Sequence, residues 1–307
     1  TSGDIGDPMG MTSDGRLYYG ITRRTADAML GGFDPATGRP ADLRFLRPVV
    51  GQVGTRGIGA PRFSPDGRQL AMVTGASTIA VRDVASGAER VVLPALPDIR
   101  ALRWAPDGRA LFLTGSDGEP GIFRVDLATQ VTTLEARVQS PVLAIAPDGG
   151  TIYYRGGVVG SAAVVARNRR TGAVTEVAKW TGAVFEIAVS PDGSKLAVTG
   201  ANRLAFVDLK TGESVVRWQY SGTGNGRVRE GEWTPDGTRF VTIYFGPNTE
   251  REIWAVPVDG REITRVPMDG RYMGVSISPD GSRLATMRVA NVFQLWVLEN
   301  FLPTGNR

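Results

Sequence analysis

Along the whole chain, short runs with alternate apolar residues are interrupted at intervals by the phrase Ser/Ala/Thr-Pro-Asp-Gly. The pattern reads RFSPDGRQLAMV at Arg62–Val73, RWAPDGRALFL at Arg103–Leu113, AIAPDGGTIYY at Ala144–Tyr154 and AVSPDGSKLAV at Ala188–Val198. EWTPDGTRFVTI at Glu232–Ile243 and SISPDGSRLATM at Ser276–Met287 continue it, and GMTSDGRLYYGI at Gly10–Ile21 is a worn first copy. Alternation with period two, in runs rich in Val, Ile, Leu, Phe and Tyr, predicts half-buried strands. Pro presets φ and Gly supplies the positive φ of a tight turn, so each phrase predicts a hairpin. Nothing long repeats every 3.6 residues, so helix should be nearly absent.

The Asp-Gly pairs begin at Asp14, Asp66, Asp107, Asp148, Asp192, Asp236 and Asp280, in steps of 52, 41, 41, 44, 44 and 44 residues. One copy contains four strand-like runs, as in VFEIAVS, KLAVTG, RLAFVDL and SVVRWQY from Val184 to Tyr220. Such a unit cannot bury its own apolar faces and must stack on its neighbours, the signature of a β-propeller. The expectation is an all-β, single-domain chain over residues 1–307. It forms a seven-bladed propeller of four-stranded antiparallel blades, at about 8–50, 58–95, 99–136, 140–179, 183–220, 228–267 and 271–302. The last copy shows three runs and no fourth, and the residues before Pro8 are too few to supply one. A three-stranded last blade is therefore expected, or closure by sequence beyond this chain, with Leu295, Val297 and Leu298 thinly covered.

Third strands such as IAVRDVASG, GIFRVDLAT, LAFVDLKTG and EIWAVPVDG, following the Ser-Pro-Asp-Gly phrase, resemble the TolB-like / WD-type propeller repeat. The ending QLWVLENFLP is similar to the terminus of bacterial TolB-like propellers that serve as C-terminal sensor or interaction domains. The resemblance covers essentially the whole chain. It implies a binding module of a larger bacterial signalling or exported protein, on the periplasmic or extracellular side, with a cytoplasmic setting left open.

Composition narrows the chemistry. There is no cysteine and no histidine, which removes thiolate nucleophiles, Ser-His-Asp catalysis and His- or Cys-ligated metals. The net charge of +4 arises from 32 arginines and three lysines against 31 acids, and the basic residues are scattered rather than clustered with aromatics, so nucleic acid is not expected as a partner. No apolar run is long enough to span a bilayer, and Thr1 does not open a signal peptide. Direct membrane insertion is not expected, and a monomer is favoured.

The repeated Asp of each turn is read as bonding its own backbone. Phe63, Trp104 and Trp233 are read as core between blades, and Trp254 and Trp296 as core as well. Function is sought where the copies disagree. Alternation in the inner strands points Arg62, Arg103, Glu186, Glu230 and Glu232 at the central channel. These charges either pair with one another, since buried charges are usually paired, or form an anion site at the arginines or a cation site at the glutamates. The variable loops emerge on the face opposite the repeated turns. They bring Arg23, Arg24, Arg56, Arg100, Tyr220, Arg227, Arg229, Tyr244, Arg251 and Tyr272 to a surface whose Arg/Tyr composition suits protein recognition.

The leading expectation is a non-catalytic binding or scaffold module that presents this face and the axial channel to a protein, peptide or small ligand. It carries no catalytic residue, no metal ligand set and no cofactor; a structural divalent cation in the channel is left open. The alternative is a propeller enzyme of the metal-dependent lyase or lactonase type, working with the axial carboxylates.

Overall fold

Each Pro-Asp-Gly phrase folds as its residue chemistry dictates. In the second copy the Asp66 carboxylate accepts the Arg68 N–H at 3.0 Å and the Ser64 hydroxyl at 2.6 Å. Gly67 takes φ of +72°, a region that strains any residue with a Cβ. Asp107, Asp148, Asp192, Asp236 and Asp280 each accept the N–H two residues on in the same way. These carboxylates are committed to their own turns. Hydroxyl donation from Ser190 and Ser278, with further bonds from Ser194 and Ser282, holds the Asp192 and Asp280 carboxyls down to about 2.

The computed structural model describes residues 7–49, 60–75, 77–158, 161–180, 182–221, 226–247 and 251–299. Among them there is no helix, and so none long and apolar enough to cross a membrane. Three strands open the chain: β1 (Asp7–Met11), β2 (Leu17–Asp34) and β3 (Arg39–Val49). The first four-stranded meander is β4 (Arg62–Phe63), β5 (Gln69–Gly75), β6 (Thr78–Asp83) and β7 (Glu89–Val92). The second is β8 (Ala101–Trp104), β9 (Ala110–Ser116), β10 (Pro120–Asp126) and β11 (Thr132–Arg137). The third is β12 (Leu143–Ile145), β13 (Thr151–Val158), β14 (Ser161–Asn168) and β15 (Val174–Trp180). The fourth is β16 (Val184–Val189), β17 (Lys195–Gly200), β18 (Arg203–Asp208) and β19 (Ser214–Gln219). The fifth is β20 (Arg227–Trp233), β21 (Arg239–Phe245), β22 (Arg251–Pro257) and β23 (Thr264–Pro267), and β24 (Tyr272–Ile277) and β25 (Arg283–Leu298) end the chain.

The all-β propeller of antiparallel blades is present, and its inner strands β4, β8, β12, β16, β20 and β24 touch in that order, with β24 returning to β4. The seven copies of the repeat nevertheless form six hydrogen-bonded sheets among the described residues, because the first and last copies share one. That sheet also settles the closure expected to be missing: β25 is flanked by β24 on one side and β2 on the other, and β3 follows β2. The last blade is thus four strands deep, and its outer two come from the N-terminal part of the chain. The repeat makes Leu17–Ile21 the second strand of a separate blade, followed by a loop over Thr22–Asp27. The structure instead has one long strand, Leu17–Asp34, that pairs with β25 from Leu17↔Leu298 to Gly32↔Arg283. The physical reason is the bare edge that β25 would otherwise leave. The worn first copy keeps its turn, but its strand β1 pairs with the outer half of β2 and lies off the inner ring.

Six core clusters lie at the six junctions between neighbouring blades. Leu111, Leu113 and Phe123 meet Ile79 and Val81 between the first and second, and Phe112 and Ile122 meet Ile152 between the second and third. Trp180 and Val164 face Leu196 and Val198, and Phe206 faces Trp233 and Phe240. At the closing blade, Val241 and Ile243 pack on Val275 and Leu284 on one side, and Ala26, Ala28 and Met287 pack on Leu70 and Met72 on the other. The clasp between chain ends is therefore as dry as any other junction. Trp104 and Trp233 are core as expected, and each indole N–H crosses to the preceding blade, donating to Arg62 O at 2.8 Å and Ala188 O at 3.0 Å.

Trp254 is core, but Trp296 is not: it is 45% exposed, in the half of β25 that runs beyond β24 and β3, beside exposed Leu295, Val297 and Leu298. Trp254→Ala should cost about 3–5 kcal/mol of stability and Trp296→Ala no more than about 0.5 kcal/mol, read by urea denaturation. Stability should also fall with acidification. The Asp192 and Asp280 carboxyls lie below their unfolded value, so their contribution is complete above about pH 4 and is lost as pH falls toward 2. Denaturation series of the native chain and D192N across that window should show a shallower acid loss in the variant; equal slopes would contradict it.

Candidate functional site

Inner strands in the bridging region of a propeller place every second side chain at the axis, and here that set is charged. All five channel residues expected from the alternation come together. Arg62, from β4, reaches across the axis to β16 and β20. Its Nη2 lies 3.3 Å from Glu186 and 3.7 Å from Glu230, and its Nη1 lies 3.2 Å from Glu232 and donates to the Val275 carbonyl at 3.1 Å. Arg103, from β8, holds the other oxygen of Glu186. Glu230 also accepts the Ala60 N–H at 3.1 Å.

Arg62 and Glu186 are almost fully buried, at 4% and 2% exposure, whereas the Glu232 side chain is 32% exposed. Burial pushes the Glu186 carboxyl above its ordinary range, with Arg103 and Arg62 drawing it back. Burial also works against the Arg62 charge, and the three glutamates outweigh it, so the guanidinium is held more firmly protonated than usual. The closing blade contributes no charge here. It contributes Gly274, at φ +65°, where a Cβ would sit 2.8 Å from the Glu230 carboxylate and from Ala60. A cavity of about 30 Å³ remains among these groups, room for one or two waters. Two arginines and three glutamates thus bind four blades to one another across the axis.

The loop-face residues divide. Arg227, Arg229 and Arg251 converge on the Phe245 ring, at 5.5, 5.8 and 4.2 Å from its centroid, and Arg229 also lies 4.6 Å from the Phe185 ring. Tyr244 stacks on Trp254 at 4.2 Å, with Trp218 edge-on to both and Tyr220 beside Trp218. Arg100 pairs with Asp98. Tyr272 belongs to the core: it is buried at the fifth junction, and its hydroxyl donates to Asp269 at 3.1 Å, because it is an inner-strand residue rather than a loop residue. Arg23 and Arg24 stand in β2 opposite Val292 and Asn291, and Arg56 lies outside the described residues. Phe185 and Phe245, the rings these arginines meet, were missed. Both have the look of ordinary strand residues in the sequence. Among the described residues no group of three or more acidic side chains is placed to hold a metal ion.

No family model matches the chain, and no curated protein does. Solved structures do. A protein assigned as TolB from Agrobacterium tumefaciens superposes with a TM-score of 0.69 at 16% identity, over 88% of this chain and 99% of that one. TolB from Acinetobacter baumannii gives 0.56 at 14% identity, over 93% and 81%. An oligogalacturonate lyase in complex with manganese gives 0.54 at 14% identity, over 90% and 76%. The likeness is one of fold. It joins TolB proteins and a manganese-bound enzyme on the same architecture, so it does not choose between binding and catalysis.

Removing Arg62 leaves a buried carboxylate facing one cation instead of two. R62M should lower stability by about 3–5 kcal/mol, the usual cost of breaking a buried ion pair from one side. R261M, at an exposed pair with Asp259, should change it by less than about 0.5 kcal/mol. Equal effects in urea denaturation would contradict the pinning role.

Proposed function

We propose that the chain is a non-catalytic binding module that offers its loop face to a protein or peptide partner. The observation that carries this reading is the state of the axis. The carboxylates an axial enzyme would use are engaged by Arg62 and Arg103, and only about 30 Å³ is left between them. On the loop face, by contrast, arginines lie over Phe245 and Phe185 near the surface, the composition that concentrates binding energy at interfaces. The fold shared with TolB proteins is compatible with this reading, and the chain is proposed as part of a bacterial signalling or exported protein working on the periplasmic or extracellular side. A monomer with a protein partner, without nucleic acid and without membrane insertion, is the form proposed. The five axial residues are assigned to holding the blades in register, so that the loops above them stay fixed.

A peptide array tests this directly. The protein should bind a selective subset of peptides, equally in the presence of a chelator, and mass spectrometry should recover those peptides intact. R227E/R251E should lose that subset. Cleaved peptides, or manganese-dependent production of unsaturated oligogalacturonate by the protein, would overturn the reading in favour of an enzyme.

A further inference from the structure

The strand that closes the ring also outruns it. β25 starts just after the Pro-Asp-Gly turn at Gly281 and runs to Leu298, whereas β24, on its axial side, pairs with it only from Leu284 to Arg288. The outer part of β25 therefore leaves the ring on the loop face, with β2 still paired along its other side. From Phe293 to Leu298 no described strand pairs with the axial side. Two hydrogen bonds fix which backbone groups point there. Arg283 O accepts the Ser278 N–H at 2.9 Å, and the Val289 N–H donates to Arg271 O at 2.6 Å, both toward β24. Backbone groups alternate sides along a strand, and the register with β2 is uninterrupted. Phe293, Leu295 and Val297 therefore present their N–H and C=O groups on the open side.

The side chains along this edge are apolar and uncharged, reading FQLWVL. Phe293 and Leu295 are 58% and 57% exposed and share a face with Val297. A Cβ at Gly20 would sit 2.6 Å from the Phe293 ring and 3.4 Å from the Met9 sulfur, so the missing side chain makes room for both. Trp296 and Leu298 lie exposed on the opposite face. Open strand edges are ordinarily blunted by charge, proline or a bulge. The outermost strand of every blade follows that rule, with Arg44 in β3, Arg90 in β7, Arg137 in β11, Lys179 in β15, Arg217 in β19 and Arg265 in β23. Phe293–Leu298 carries none of these guards.

Resting on the reading that the loop face binds peptides, we propose that Phe293–Leu298 is a docking edge for an extended segment of a partner protein, uncharged and with apolar residues at alternate positions. The segment adds as a strand in line with β24, above the ring. Its backbone bonds to Phe293, Leu295 and Val297, and its apolar side chains pack beside theirs. A helical partner would leave those backbone groups unmatched. A bilayer also suits the ribbon less, because its tip carries Asp14, Arg16 and Glu299, all exposed, and charge is costly in hydrocarbon.

The probes are a fluorescent octapeptide of alternating Val and Thr and two N-methylated copies, one methylated at every Val amide and one at every Thr amide. Anisotropy should show the octapeptide bound, with a loss of at least about tenfold confined to one methylated copy, since only methyl groups on the edge-facing side block pairing. L295P removes an open-side N–H while leaving the ladder to β2, and should weaken octapeptide binding by about tenfold or more. Should L295P fail to fold, L295K puts a charge on the edge from an exposed position and should produce the same loss. R261M, remote from the edge, should bind as the parent does. Failure of the octapeptide to bind, equal binding of all three peptides, or octapeptide binding unchanged in both Leu295 variants would overturn the site. So would a dimer in sedimentation that L295K dissolves, which assigns the edge to a second copy, or flotation with phosphatidylglycerol vesicles that L295K abolishes. In each case array peptides lost with R227E/R251E would still support a binding face, so failure of this site and failure of the broader reading are told apart.

Discussion

Everything else in this molecule depends on the pairing of β2 with β25. A ring of stacked blades must satisfy the edge of its last sheet, and a strand from the opposite end of the chain does so here over the whole length of β25. Without that ladder, the clusters around Ala28 and Met287 and around Val275 and Leu284 would each lose a wall. The inner strands could then not be held at the spacing that lets Arg62 reach β16 and β20. Closure is non-local, linking residues almost three hundred positions apart, so the loop-closure entropy is paid once and shared by six junctions.

The closed ring sets the terms for its axis. Inner strands put two arginines and three glutamates in one small volume, where desolvation is costly and pairing is the only way to keep them charged. Their arrangement is specific: Arg62 meets carboxylates from two blades and a carbonyl from a third, and Gly274 leaves the space that Glu230 occupies. Such a network adds little net stability over an apolar plug of the same volume, yet it fixes which blades face one another. Toward the loop face the arginines meet aromatic rings, Arg227 and Arg251 at Phe245 and Arg229 at Phe185.

Much of this was legible in the sequence. The Pro-Asp-Gly copies located the hairpins, and the four runs from Val184 to Tyr220 match β16–β19 nearly residue for residue, because turn chemistry and period-two alternation are local properties. The five axial charges were legible for the same reason: register relative to a fixed turn decides which side chains point inward. What local pattern could not carry was pairing between distant strands. Leu17–Ile21 has the turn and alternation of a blade's second strand, and only the partner on its far side makes it part of the last blade. Trp296 and Tyr272 were misplaced by the same limitation, one on an extension past the ring and the other at an inner-strand start. Arg229 and Phe185 meet only because the fourth and fifth blades are neighbours, so no single repeat displays that contact.

The proposed division between a paired axis and a binding loop face is open to one direct measurement, amide hydrogen exchange with and without a saturating peptide selected from the array. Protection should appear at Arg227–Arg229 and Arg251–Glu252, while Ala101–Trp104 and the Pro-Asp-Gly turns exchange as before. Protection centred on the inner strands around Arg62 and Arg103, with Arg227–Arg229 and Arg251–Glu252 unchanged, would contradict it.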